Sequence, residues 1–148
     1  MTDENVGRQA ARERLRSDNA RLRERFCDWL RSRGLSRRTI ERHVGNAGVY
    51  LDEFLLYDDP VEASEGARSH HLRMFFDYWF VRKCVCASPT GMRAMAASLK
   101  KFYAFMDEVG EVTPQDSQEV RATVGLCLPD WLETLRIYFD EAEEAWAI

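Results

Sequence analysis

The apolar positions of this chain recur at steps of three and four, and no segment alternates strictly between apolar and polar residues. That period places side chains on one face of an α-helix. Leu15, Leu22, Phe26 and Trp29/Leu30 mark one face of an arginine-rich helix that ends near Gly34. The first dozen residues read as a loose arm. Ser36 is a good N-cap, and Ile40, Val44, Ala47, Leu51 and Phe54/Leu55 follow it to the stop at Asp58-Asp59-Pro60. A polar loop with Pro60, Ser64 and Gly66 leads into a third helix, whose Leu72, Phe75/Phe76 and Trp79/Phe80 form a broad aromatic face. Ser88-Pro89 starts a fourth helix, with Met92, Met95/Ala96, Leu99, Phe102/Tyr103 and Met106 running to Gly110. Thr113-Pro114 repeats that start signal. A short helix to about Val124 and a last one from Trp131 through Leu135, Tyr138/Phe139, Ala142 and Trp146 complete the pattern, separated by Gly125 and Pro129. The pattern predicts an all-α fold, a compact orthogonal bundle of five to six helices.

At 148 residues, 45% of them hydrophobic, the chain is long enough for one core and short for two. Charges interrupt every apolar run well before the ~20 residues that a membrane span needs. The opening Met-Thr-Asp-Glu-Asn leads into arginines without the apolar region of a secretory signal, so a cytoplasmic protein with no membrane partner is expected. Cys27, Cys84, Cys86 and Cys127 are irregularly spaced and read as free thiols. Cys84-Val-Cys86 with His70 and His71 upstream matches no recognisable zinc spacing, so no metal or other cofactor is expected.

Net charge is −4, but it is very unevenly spread. Residues 1–50 hold twelve arginines against seven acids, a balance of +5, whereas in residues 104–148 Arg121 and Arg136 face eleven acids, a balance of −9. The body of the chain is therefore basic and its tail acidic, and the average conceals a surface suited to a polyanion.

Leu35-Ser36-Arg37-Arg38-Thr39-Ile40, followed by Tyr50-Leu51 and Phe54-Leu55, resembles the opening helix of the core-binding domain of tyrosine recombinases of the phage-integrase type. Downstream, Ser88-Pro89-Thr90, then the run Ala96 to Met106 with its basic pair Lys100-Lys101 and aromatic pair Phe102-Tyr103, then Gly110, resembles the same domain's later helix. The resemblance covers roughly residues 22–112. It implies a SAM-like bundle of four or five helices that forms half of a clamp around duplex DNA, with a catalytic domain closing the other half. The domains expected on this basis are an arm at 1–12, a core-binding-like domain at 13–112 and an acidic helical extension at 113–148 packed upon it. The family's catalytic arginine, His-x-x-Arg pair and nucleophilic tyrosine need more chain than remains after residue 112, so no strand cleavage is expected. His70-His71-Leu72-Arg73 fits His-x-x-Arg by spacing, but it lies inside the core-binding region and reads as chance.

Duplex binding needs cations and small hydrogen-bond donors grouped on a helix face away from the core. At ~100° per residue, Arg38 and Arg42 lie opposite Ile40, Val44, Ala47 and Leu51, next to Arg37 in sequence and beside Gly45 and Asn46. On the Ser88 helix, Thr90 and Lys101 point away from the apolar stripe, and Arg93 and Lys100 line one flank of it. No acid occurs between Trp79 and Tyr103, a stretch that also holds Arg82 and Lys83. These nine residues, Arg37, Arg38, Arg42, Arg82, Lys83, Thr90, Arg93, Lys100 and Lys101, form the candidate DNA-binding set. Solubilising arginines paired with Glu24, Asp28 or Glu41 are the plainer alternative. Gly45 and Gly48 suggest a close approach, either by a neighbouring helix or by phosphate.

The acidic tail admits two expectations: it folds over the basic surface and competes with DNA, or its apolar stripe packs on the core or on a second subunit. A protein-interaction or oligomerisation module is accordingly the alternative function, with a full-length recombinase or a second copy of the chain as partner. No nucleophile–base pair, phosphate-cradling glycine loop or metal-ligand motif points to an enzyme.

Overall fold

A computed structural model describes residues 2–84 and 87–147, and among them it contains helices and no strand. Helix α1 spans Asp3–Ser32, α2 Arg37–Gly48, α3 Ser69–Met74, α4 Phe80–Lys83, α5 Pro89–Glu108 and α6 Pro114–Trp146. Two π-helical segments interrupt this plan. Val49–Phe54 continues α2, and Phe75–Trp79 joins α3 to α4, so that each forms one longer, over-wide helix. A 3₁₀ turn, Glu65–Ala67, precedes α3.

The helix starts follow from capping chemistry. Ser36, Ser88 and Thr113 each accept a hydrogen bond from the amide three residues on, at 3.2, 2.9 and 3.1 Å. At Thr113 the Asp116 carboxylate returns the bond to the cap's own N–H, closing a capping box. Gly34 and Gly110 leave α1 and α5 with φ of +77° and +81°, a conformation glycine adopts without Cβ strain.

Helix α5 is the centre. It packs on α6, α2 and α1, burying Met92, Leu99, Phe102, Phe105 and Met106. Phe26 and Leu30 of α1 meet it, with the Phe26 ring edge-on to Phe102 at 5.2 Å. The π-helical segments build an aromatic wall: Tyr50, Phe54, Phe75 and Trp79 contact one another at centroid distances of 5.0–5.9 Å.

Two sequence expectations are corrected. Residues 3–12 are no loose arm but the first turns of α1. Thr2 caps them, Asp3 and Glu4 complement the helix dipole, and Arg12 anchors them by donating to the carbonyls of Leu56 (2.8 Å) and Asp58 (2.9 Å). Arg8 adds an ion pair to Asp59 at 3.1 Å. Residues 114–146 are one helix, not two, with Pro129 inside it. Proline removes one backbone bond and crowds the carbonyl of Gly125, a penalty of about 3 kcal/mol. Downstream, Trp131 and Leu135 are fully buried, Trp131 stacking on Phe76 at 4.4 Å, and each such side chain contributes about 2–3 kcal/mol, enough to carry the helix through. Leu135 is the last buried residue of the helix, and Ile137, Tyr138, Phe139 and Trp146 beyond it are exposed. No described helix is long and apolar enough to cross a membrane.

Candidate nucleic-acid interface

The α2–α5 seam is organised by a small buried polar cluster. His43 of α2 and Ser98 of α5 are both buried, with His43 Nδ1 and Ser98 Oγ 2.8 Å apart. Asn46 Nδ2 donates to the same Ser98 oxygen at 3.0 Å, leaving the hydroxyl proton for a neutral imidazole. Burial lowers the His43 pKa from its usual range, and the positive charges of Arg42 and Lys101 lower it further. Arg42 and Lys101, from different helices, therefore act on the same imidazole across the seam.

Around this seam, Arg38 and Arg42 are exposed on α2, and Thr90, Arg93 and Lys100 lie along the exposed stripe of α5. Lys101 is half-buried, and its charge acts on His43. Among the described residues, Arg38, Arg42, Arg93, Lys100 and Lys101 make no ion pair. On α1, Arg8, Arg21, Arg23, Arg25 and Arg31 are each paired with an acid, as is Arg33 just beyond it, while Arg12 is held by carbonyls and Arg14 and Arg16 make no ion pair among the described residues. Arg37 belongs with the paired group, since its Nε lies 3.0 Å from Glu41.

Arg82 and Lys83 do not join the seam. The Arg82 guanidinium lies over Tyr78 at 4.1 Å and near Tyr138 of α6 at 5.3 Å, and the Lys83 ammonium is 5.4 Å from the Tyr57 ring. Arg82 is thus the member of the candidate set that meets the acidic helix, so the tail does not cover the basic face. The glycines divide as well. A Cβ at Gly48 would come within 2.8 Å of the Arg23 side chain, while Gly45 faces open space beside Arg42. Close packing explains the first and leaves the second free for an approaching ligand.

Sequence reasoning missed a groove of about 450 Å³ between the two π-helical segments, lined by Phe54, Tyr57, Met74, Tyr78, Trp79 and Lys83. Its signal is a set of large apolar side chains, Tyr57, Met74 and Tyr78, each more than half exposed.

His70 is exposed and His71 half-buried, their rings 4.0 Å apart, and burial together with His70 lowers the His71 pKa. His71 lines the aromatic groove whereas Arg73 lines a separate hollow with Asp77 and Trp131. Among the described residues no group of His, Cys, Asp and Glu is placed to hold a metal; Cys86 of the Cys84-Val-Cys86 sequence lies outside them. Comparisons with protein-family models, curated proteins and solved structures gave no match.

Proposed function

We propose that this chain is a non-catalytic duplex-DNA-binding domain of the kind that accompanies DNA integration and recombination, acting in the cytoplasm and gripping phosphates with its α2–α5 face. One observation carries the reading: five cations grouped on two packed helices are left without acidic partners among the described residues, while five of the eight arginines of α1 are paired with acids. An exposed arginine with an ion-pair partner is a solubilising residue, whereas a cluster without partners is an electrostatic footprint for a polyanion. The resemblance to the core-binding domain of tyrosine recombinases supports the same reading, because its motifs fall on α2 and α5. The SAM-like classification belongs to this proposal.

The test is fluorescence anisotropy of labelled random-sequence duplex titrated with the protein. If all five cations contact phosphate, the logarithm of affinity falls with a slope near −4.5 against the logarithm of salt, roughly a 500-fold loss between ~50 and ~200 mM. Charge reversal at Arg38, Arg42, Arg93, Lys100 and Lys101 should abolish binding with helicity intact. Absence of binding at ~50 mM salt, or binding untouched by the reversals, would overturn the proposal. The second reading, a protein-interaction module, is favoured by one separate observation, the exposed apolar stripe of α6 beyond Leu135.

A further inference from the structure

Helix α6 carries its amphipathic pattern past the point where the bundle can receive it. Tyr138, Phe139 and Trp146 are 36, 40 and 89% exposed, and with Ala142 they continue the stripe that begins at the buried Leu135. Along the same stretch lie Asp140, Glu141, Glu143 and Glu144. Two such tails laid against each other would bring acid against acid, so the natural complement of this stripe is an apolar surface with a basic rim.

The aromatic groove between the π-helical segments is such a surface. Tyr57, Met74 and Tyr78 are 63, 59 and 53% exposed around it, and its volume of about 450 Å³ suits an inserted aromatic side chain with its neighbours. Arg82 and Lys83 stand at its rim. Of its acids, Asp59 is held by Arg8, leaving Asp58.

The tail cannot occupy the groove of its own chain as a helix. Tyr138 passes the rim, next to Arg82, and Trp146 lies eight residues further along the axis, about 12 Å away. We propose that the occupant is the tail of a second copy of this chain: two molecules associate about a two-fold axis, each placing Trp146 among Tyr57, Met74 and Tyr78 of the other, with Glu143 facing Lys83. The contact uses aromatic and thioether packing at its centre and opposite charges at its edge. The reciprocal arrangement closes, so association stops at the dimer. With each aromatic burying ~150–250 Å², the doubled contact lies at the low end of specific interfaces, and the dimer is a reversible one. The α2–α5 face stays free, and a dimer would present two of them.

Sedimentation equilibrium of the full chain in the absence of DNA tests this, so its outcome is separate from that of the DNA titration. The wild type should show a monomer–dimer equilibrium in the micromolar range. Trp146→Ala and Met74→Glu, both at exposed positions, should each weaken association by about tenfold or more with unchanged circular dichroism. Lys83→Glu should weaken it too, and Glu143→Lys in the same chain should restore it. A wild type that stays monomeric up to ~200 µM, where a micromolar equilibrium would lie largely on the dimer side, overturns the proposal. A dimer that survives either Trp146→Ala or Met74→Glu overturns it equally, because the tail or the groove is then not in the contact.

Discussion

Replacing Pro129 with alanine should make this protein more stable, an unusual direction for a point substitution. Helix α6 runs unbroken from Pro114 to Trp146 through the proline. Alanine restores the N–H that bonds the Gly125 carbonyl and removes the ring that crowds it, a gain of about 3 kcal/mol in a helix interior. Pro129 and Gly125 are both exposed, so the new methyl group meets water and nothing has to repack. Against this, alanine gives the unfolded chain more freedom than proline does, which takes back up to about 1 kcal/mol. The net gain is about 2 kcal/mol, or roughly 4–8 °C in Tm for a chain of this size. Thermal melts followed by circular dichroism and by calorimetry measure it directly. An unchanged or lower Tm would refute the argument, since it would mean that the helix is interrupted between Gly125 and Trp131, as the sequence pattern suggests.

Other perturbations probe the packing that positions the basic seam. Gly66→Ala should destabilise by about 1–3 kcal/mol in urea unfolding, because a Cβ there would come within 2.5 Å of the Tyr103 hydroxyl and 2.7 Å of Leu55. Ser98→Ala removes the oxygen shared by His43 and Asn46 and should cost about 1–3 kcal/mol, most of it from leaving the buried imidazole nitrogen unsatisfied. The His43 pKa is lowered in the folded state, so the unfolded chain takes up the proton first: stability is full above the unfolded value of 6.5 and declines as pH falls from there towards the folded value. Urea titrations at about pH 7.5 and 5.5 should show that decline, and His43→Gln should reduce it, with the remainder coming in part from His71.

Much of the fold was legible because helix starts are local chemistry. Ser36, Ser88-Pro89 and Thr113-Pro114 announce helices whose first amides they satisfy, and Gly34 and Gly110 mark exits that need positive φ. What escaped is what distance decides. Residues 3–12 carry little apolar pattern, and their helix is anchored by Arg12 reaching 44 and 46 residues along the chain to Leu56 and Asp58. Pro129 is a breaker by local rules and is overridden by Trp131 stacking on a ring 55 residues away in sequence. For the candidate interface, periodicity separates Arg38 and Arg42 from the core face. It cannot tell that Arg37 is paired, that Lys101 is half-buried, or that Arg82 and Lys83 are taken up by tyrosines from other elements.

The π-helical segments carry a consequence for how this chain can change length. In each, the backbone closes one residue late, as where the Leu55 N–H bonds the Tyr50 carbonyl at 2.9 Å, so each holds what amounts to a single inserted residue. Deleting one residue within Val49–Phe54 would return an ordinary helix without breaking the chain path. The wider turn absorbs that residue, so the side chains before it already point where they would without it. Shortening the chain there should leave Arg38 and Arg42 on the basic face and Leu55 in the core, whereas a residue removed from the regular turns of α2 would rotate the side chains before the cut through ~100°, taking buried Ile40 off the core together with the arginines. A deletion scan across α2 should accordingly find tolerance centred on Val49–Phe54.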